Sequence, residues 1–115
     1  MFLPAQLDVL GAEVPWRCTV AFGALGAASL IGLSDPGGGV THDTDGHYTI
    51  TFPTSQTVFV KAITMWAVAP STGGQAHPHE IASGSIALHT TDPGGSQQDP
   101  PSGSRLYLSL ILRNP

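Results

Sequence analysis

A chain of 115 residues has room for one domain around one core. Only 10% of its residues are charged, against the ~25% usual in a soluble domain, while 41% are hydrophobic and the formal net charge is −4. Four scattered cations, Arg17, Lys61, Arg105 and Arg113, make no basic patch, so nucleic-acid binding lacks its electrostatic component, and the apolar stretch Val20 to Leu33 is broken by glycines and shorter than the roughly 20 residues of a membrane helix.

Residues 1–16 carry Pro4 and Pro15 among scattered apolar residues and are expected to form an extended arm, with the domain proper over residues 17–115. Met1-Phe2-Leu3-Pro4 has no basic region of the kind that opens a secretory signal, so maturation in the compartment of synthesis is expected. Residues 17–22 alternate, with Cys18, Val20 and Phe22 facing one way, which predicts a half-buried strand. Cys18, the single cysteine, is then a buried inert thiol. Residues 26–33 are ambiguous, because the alanines favour helix, but Gly26 and Gly32 each cost roughly 1 kcal/mol there. A strand is expected. Residues 34–39 form a Gly/Pro loop.

Asp45-Gly46, flanked by β-formers, predicts a two-residue hairpin turn of type I′. After it Tyr48, Ile50 and Phe52 share one face. Residues 57–69 predict a long strand with Val58, Val60, Ala62, Trp66 and Val68 on one face and Phe59, Ile63, Met65 and Ala67, with Lys61, on the other. Both faces are apolar, which burial on one side does not explain. A loop is expected over 70–80, holding His77-Pro78-His79, then a strand or pair of strands over 81–91, then a Pro/Gly/Ser-rich loop over 92–103. The final strand sets Leu106, Leu108, Leu110 and Leu112 on one face and Tyr107 and Ile111 on the other. Short strands between turn signals predict a single-domain, all-β antiparallel β-sandwich or jelly roll with an extended N-terminal arm.

Chemistry-bearing patterns are sparse. His42, His47, His77, His79 and His89 invite a zinc hypothesis, but their spacing matches no tight site, so they are read as solvated loop residues and no metal is expected. Asp35, Asp92 and Asp99 stand in or beside Pro-containing turns. No serine lies in a Gly-x-Ser-x-Gly elbow, and the glycines at 37–39 lack the lysine of a phosphate loop. No enzyme activity, catalytic residue or cofactor is expected. Trp16, Trp66, Tyr48 and Tyr107 are candidates for a carbohydrate platform. Three of them lie in strand patterns where packing is the ordinary role, and Trp16 is expected to be exposed.

The run Gly46-His-Tyr-Thr-Ile-Thr-Phe52 after Gly39-Val-Thr, the apolar strand 57–69, Thr90-Thr-Asp92 and the alternating strand from Asp99 to Leu112 resemble small β-sandwich structural proteins of tailed-bacteriophage virions. The resemblance covers roughly residues 38–112. It implies a β-sandwich that decorates or cements a capsid, or belongs to a tail fibre, and it implies no active-site residues. A virion location, with assembly in the host cytoplasm, is the corresponding expectation.

Apolar strand faces suit such a role, because obligate interfaces resemble a core cut in half. The expected partners are copies of the chain itself in a closed ring such as a trimer, and the major capsid protein or other virion proteins, with no nucleic acid and no membrane. Phe2, Leu3, Trp16, Phe59, Ile63, Met65, Tyr107 and Ile111 are the expected interface residues. The alternative function is a tail-fibre or receptor- and carbohydrate-binding module, which needs aromatic side chains exposed on loops.

Overall fold

The computed structural model describes residues 13–33, 37–53, 58–71 and 73–113, with the side chains of Val58, Phe59 and Ile81 excepted. Eight strands are present: β1 (Glu13–Phe22), β2 (Ala28–Ile31), β3 (Gly39–Thr44), β4 (His47–Thr51), β5 (Val58–Val68), β6 (Gln75–Ala82), β7 (Ser85–Thr91) and β8 (Arg105–Arg113). They form two four-stranded antiparallel sheets, β2-β1-β8-β5 and β3-β4-β7-β6, packed as a β-sandwich.

Period-two alternation builds the core. Trp16, Cys18, Val20 and Phe22 of β1 and the four leucines of β8 point inward from the first sheet. Tyr48, Ile50 and Phe52, then Ile86 and Leu88 of β7, meet them from the second. The expected alternations at 17–22, 47–52 and 106–112 are all present as buried and less buried positions in turn. β8 lies between β1 and β5, with Leu108 opposite Cys18 on one side and Thr64 on the other.

Several expectations need correction. The long strand does not keep the expected faces, because bulges between Phe59 and Lys61 and between Trp66 and Val68 break its parity, so Val60 and Val68 are exposed while Ala62 and Trp66 pack on the core. β1 begins at Glu13 rather than at residue 17, so Pro15 and Trp16 belong to the sheet. β2 flanks only Thr19–Phe22, so among the described residues β1 has no neighbour on that side at Pro15, where a missing N–H is tolerated. Trp16 is 1% exposed, set edge-on to Phe52 at 6.3 Å between ring centroids and against the Gly38 backbone, so it is core and neither exposed nor available as an interface residue. His77-Pro78-His79 is not loop but the middle of β6, an edge strand in which Pro78 forfeits no ladder bond to a second neighbour. Residues 28–31 are strand, as expected. Of the remaining expected interface residues, Phe2 and Leu3 lie outside the described residues, as does the Phe59 side chain.

The β3–β4 turn is also not type I′. Gly46 has φ +71, but Asp45 does not share the positive φ that type I′ requires. A β-bulge between His42 and Thr44 takes up the irregularity. Gly46 itself is confined, because a Cβ there would lie 2.5 Å from Gln98 N and 2.6 Å from Thr90 O.

Two substitutions test this packing by urea unfolding. Leu108→Ala, at 0% exposure, is expected to cost about 2–5 kcal/mol through lost burial and a residual cavity. Gly46→Ala is expected to cost roughly 2 kcal/mol or more, since the left-handed backbone alone costs an L-residue about 1–2 and the backbone on both sides would have to give way. A change under about 0.5 kcal/mol, typical of unconstrained surface sites, would contradict either placement.

Candidate functional site

Polar side chains gather in two places. The first is where the loop after β7 folds back over the β3–β4 hairpin. Gln98 N donates to Thr90 O at 3.1 Å and Thr90 Oγ1 donates to Gln98 O at 2.7 Å, which sets the loop alongside the end of β7. Asp99 then reaches the hairpin. Its Oδ1 accepts from Gly46 N at 2.6 Å, from the Tyr48 hydroxyl at 3.0 Å and from His42 Nε2 at 3.0 Å, while Asp99 N donates to Asp45 Oδ1 at 2.9 Å. His42 reaches this point because it pairs with Tyr48 across the hairpin and so faces inward.

Partial burial pushes the Asp99 carboxyl up, but the Gly46 N–H, the Tyr48 hydroxyl and His42 more than offset this and hold it below the usual carboxylate range. Burial, and after it the Asp99 carboxylate, pushes the Tyr48 phenol well above its ordinary value. A carboxylate, a histidine and a hydroxyl thus meet, but the hydroxyl is on a tyrosine with 0% exposure that donates to the carboxylate. Nucleophilic catalysis needs a base on the nucleophile and room for a substrate. This group instead ties loop to hairpin.

The second place is the outward face of the second sheet. Asp43, the bulged residue of β3, accepts from Thr49 Oγ1 at 2.6 Å and from His47 Nδ1 at 2.9 Å through Oδ2. Those bonds, Thr49 first, hold its carboxyl below the ordinary range. His47 is the cross-strand partner of His89, which is the partner of His77, and His79 lies two residues further along β6. Burial and then the neighbouring imidazoles lower the His89 pKa. As the side chains stand, no group of three or more His, Cys, Asp or Glu among the described residues is arranged around a metal position.

Other candidates resolve into packing. Cys18 is buried, and burial pushes its thiol up to about 12, so it is not a thiolate near neutral pH. Of the four Trp and Tyr candidates, Trp16 and Tyr48 are buried, and Trp66 lies against Phe22 and donates its indole N–H to Gly74 O at 3.0 Å. Tyr107 is half-buried on the outward face of β8. These four form no stacking platform. A groove between the edge strands β5 and β6 has a volume of about 270 Å³, with His77 its one titratable lining residue. That is slightly below the roughly 300–1,000 Å³ of small-molecule pockets.

The outward face of the first sheet is different in kind. The large apolar side chains exposed among the described residues are Leu25, Ile31, Val60, Ile63, Met65 and Val68, and all but Leu25 lie on β2 or β5. Across the strands Met65 pairs with Tyr107, which pairs with Thr19, itself opposite Ile31. Ile63 pairs with Ser109, and Ile111 stands half-buried beside Lys61. Of the expected interface residues, Ile63, Met65, Tyr107 and Ile111 are thus brought onto one surface. Leu25, at a φ of +58, is fully exposed in the turn before β2.

The Asp99 tie is open to titration. Its folded pKa is depressed, so its contribution to stability is complete above the unfolded value of about 3.9 and is lost as pH falls through the folded value. Asp99→Asn is expected to cost about 1–3 kcal/mol at neutral pH, the scale of a weakened charge-assisted bond or a donor left unsatisfied. The gap between wild type and variant should then narrow below about pH 4. Urea midpoints across pH 3–7 measure both, and a gap independent of pH would show that the carboxylate charge plays no part.

Compared with known proteins, the chain matches no family model, no curated protein and no solved structure.

Proposed function

We propose that this domain is a non-enzymatic structural protein that works by assembly, as a decoration or cement protein of a virion shell. The observation that carries the reading is the outward face of β2-β1-β8-β5. Ile63 and Met65 are each 62% exposed, with Ile31 at 40% and Val68 at 48% around them. Single exposed apolar residues are ordinary, but Ile63 and Met65, neighbours on one edge strand and joined by Tyr107 and Thr19 to Ile31 across the sheet, are grouped among the chain's four cations, and such a mixed apolar and positive surface suits docking. The core is already complete behind β8, so these side chains are not needed to fold the domain.

Size argues for what covers the face. Four strands about 4.8 Å apart, with nine residues rising about 3.3 Å each, give a footprint on the order of 500 Å². A standard stable interface takes about 800 Å² from each partner. The face therefore supplies most of one side, and Phe2 and Leu3 of the N-terminal segment are the natural source of the rest. Copies of the chain around a ring, seated on a shell protein, provide the covering surface. Leu25, held exposed at a strained φ, suits a small anchor to a neighbour.

Light scattering at micromolar concentration tests the assembly. The wild type is expected to be oligomeric, and the double variant Ile63→Lys with Met65→Glu is expected to be monomeric with its thermal midpoint nearly unchanged, because the positions lie outside the core. A wild-type monomer at that concentration would overturn self-assembly. Mass spectrometry of purified particles tests the virion role separately, since a cement protein must be present in numbers comparable to the shell subunits.

A further inference from the structure

The outward face of the second sheet carries an arrangement that assembly does not use. His47 of β4, His89 of β7 and His77 of β6 stand opposite one another in register across three adjacent strands, and His79 shares their face. The ring centroids of His47 and His89 are 4.6 Å apart, and those of His79 and His89 are 5.0 Å apart. Two imidazoles bound to one tetrahedral zinc at about 2.0–2.1 Å have centroids roughly 5 Å apart. The rings of both pairs already stand at about the separation that a shared metal ion would impose.

One of these rings is also oriented as a ligand is. Asp43 Oδ2 accepts at 2.9 Å from His47 Nδ1. A carboxylate only accepts, so the proton of neutral His47 is on Nδ1 and the Nε2 lone pair is bare. Thr49 Oγ1 donates to the same carboxylate oxygen at 2.6 Å and fixes it in turn. Carboxylate to Nδ1–H with Nε2 open is the outer-shell arrangement that orients metal-binding histidines. The bulge between His42 and Thr44 releases Asp43 from the ladder, as bulges do when they re-aim a side chain.

We propose that His47, His89 and His79 form a surface site for a divalent transition metal of the zinc, nickel or copper class, with Asp43 as the outer-shell partner of His47. As the rings stand, three donors do not point at one centre. The site therefore forms only if the rings of His89, half-buried, and His79, exposed, turn toward His47 Nε2 when the metal binds. Imidazole suits these metals, and water would complete the coordination. His77, in contact with Gln75 Oε1 at 3.2 Å, flanks the site from the same strand as His79.

Isothermal titration of the chelator-treated protein with Zn²⁺ at pH 7.5 is the test. One ion is expected to bind per chain. His89→Ala should weaken binding at least tenfold, because it removes the central ring. Asp43→Asn should weaken it by about 10–100-fold, the usual effect of losing an outer-shell partner. His42→Ala, whose ring faces the opposite side of the hairpin, should bind as wild type does. Thermal melts of each variant without metal establish that it is folded. A wild type that takes up no zinc would overturn the proposal, and so would a folded His89→Ala that binds unchanged.

Discussion

The register of β8 is the constraint on which the rest of the structure depends. It is the strand with a long neighbour on each side in the first sheet, pairing with β1 over Ala21 to Glu13 and with β5 over Val68 to Val58. Its four leucines all enter the core. A slip of one residue would turn them to solvent and bring Tyr107, Ser109 and Ile111 inward. Each leucine buried is worth roughly 1.5–3 kcal/mol, so the slipped pairing forfeits several kcal/mol whatever it does for the ladder bonds. Once β8 is placed, β1 and β5 are placed with it, and Met65, Tyr107 and Thr19 have to share an outward row.

Two outer faces of opposite character follow. The inner faces of a sandwich are claimed by the core, and the outer faces are free to differ. On the first sheet that freedom is used for Ile31, Ile63 and Met65, which nothing in the described residues needs for folding. On the second sheet the described outward positions of β4, β7 and β6 are Thr, Ser, His and Gln with two alanines, exposed Ala82 and Ala87, which is buried between its cross-strand partners Thr49 and His79. The first outer face also carries all four cations, Arg17, Lys61, Arg105 and Arg113, which read as scattered in the sequence alone, so its exposed apolar side chains are interspersed with positive charge. The outer face of the second sheet carries no Lys or Arg among the described residues.

What was legible in the sequence was whatever has a local period. The alternations of Cys18, Val20 and Phe22, of Tyr48, Ile50 and Phe52, and of the β8 leucines read directly as strands and as core, because side-chain direction in a strand depends on parity alone. The turn at Gly46 is legible in place but not in type, since Gly46 is confined by Thr90, Gln98 and Asp99, which are remote in the chain. Strand β6 is hidden in the sequence because Pro and His resemble loop, and only its edge position makes Pro78 acceptable. Trp16 is hidden because Pro15 before it resembles the end of an arm. The Asp99 tie and the histidine row were not legible at all. Asp99 meets Gly46 and Tyr48 across more than fifty residues of chain, and His47, His89 and His79 become neighbours only through the register of three strands.

That last difference bears on how histidines should be read in β proteins. Sequence spacing is a guide to metal sites when the ligands sit on one helix or one tight loop, as in the short motifs that zinc commonly uses. In a sheet, neighbours across the ladder are about 4.5–5.5 Å apart whatever their separation in the chain. Positions of equal parity on adjacent strands are therefore the relevant spacing, and it appears only once pairing is known. The two outward surfaces of a sandwich are on opposite sides, so the proposed partner covering the first sheet would leave the second uncovered. The row of imidazoles would then still meet the medium, where ions and protons are available to it.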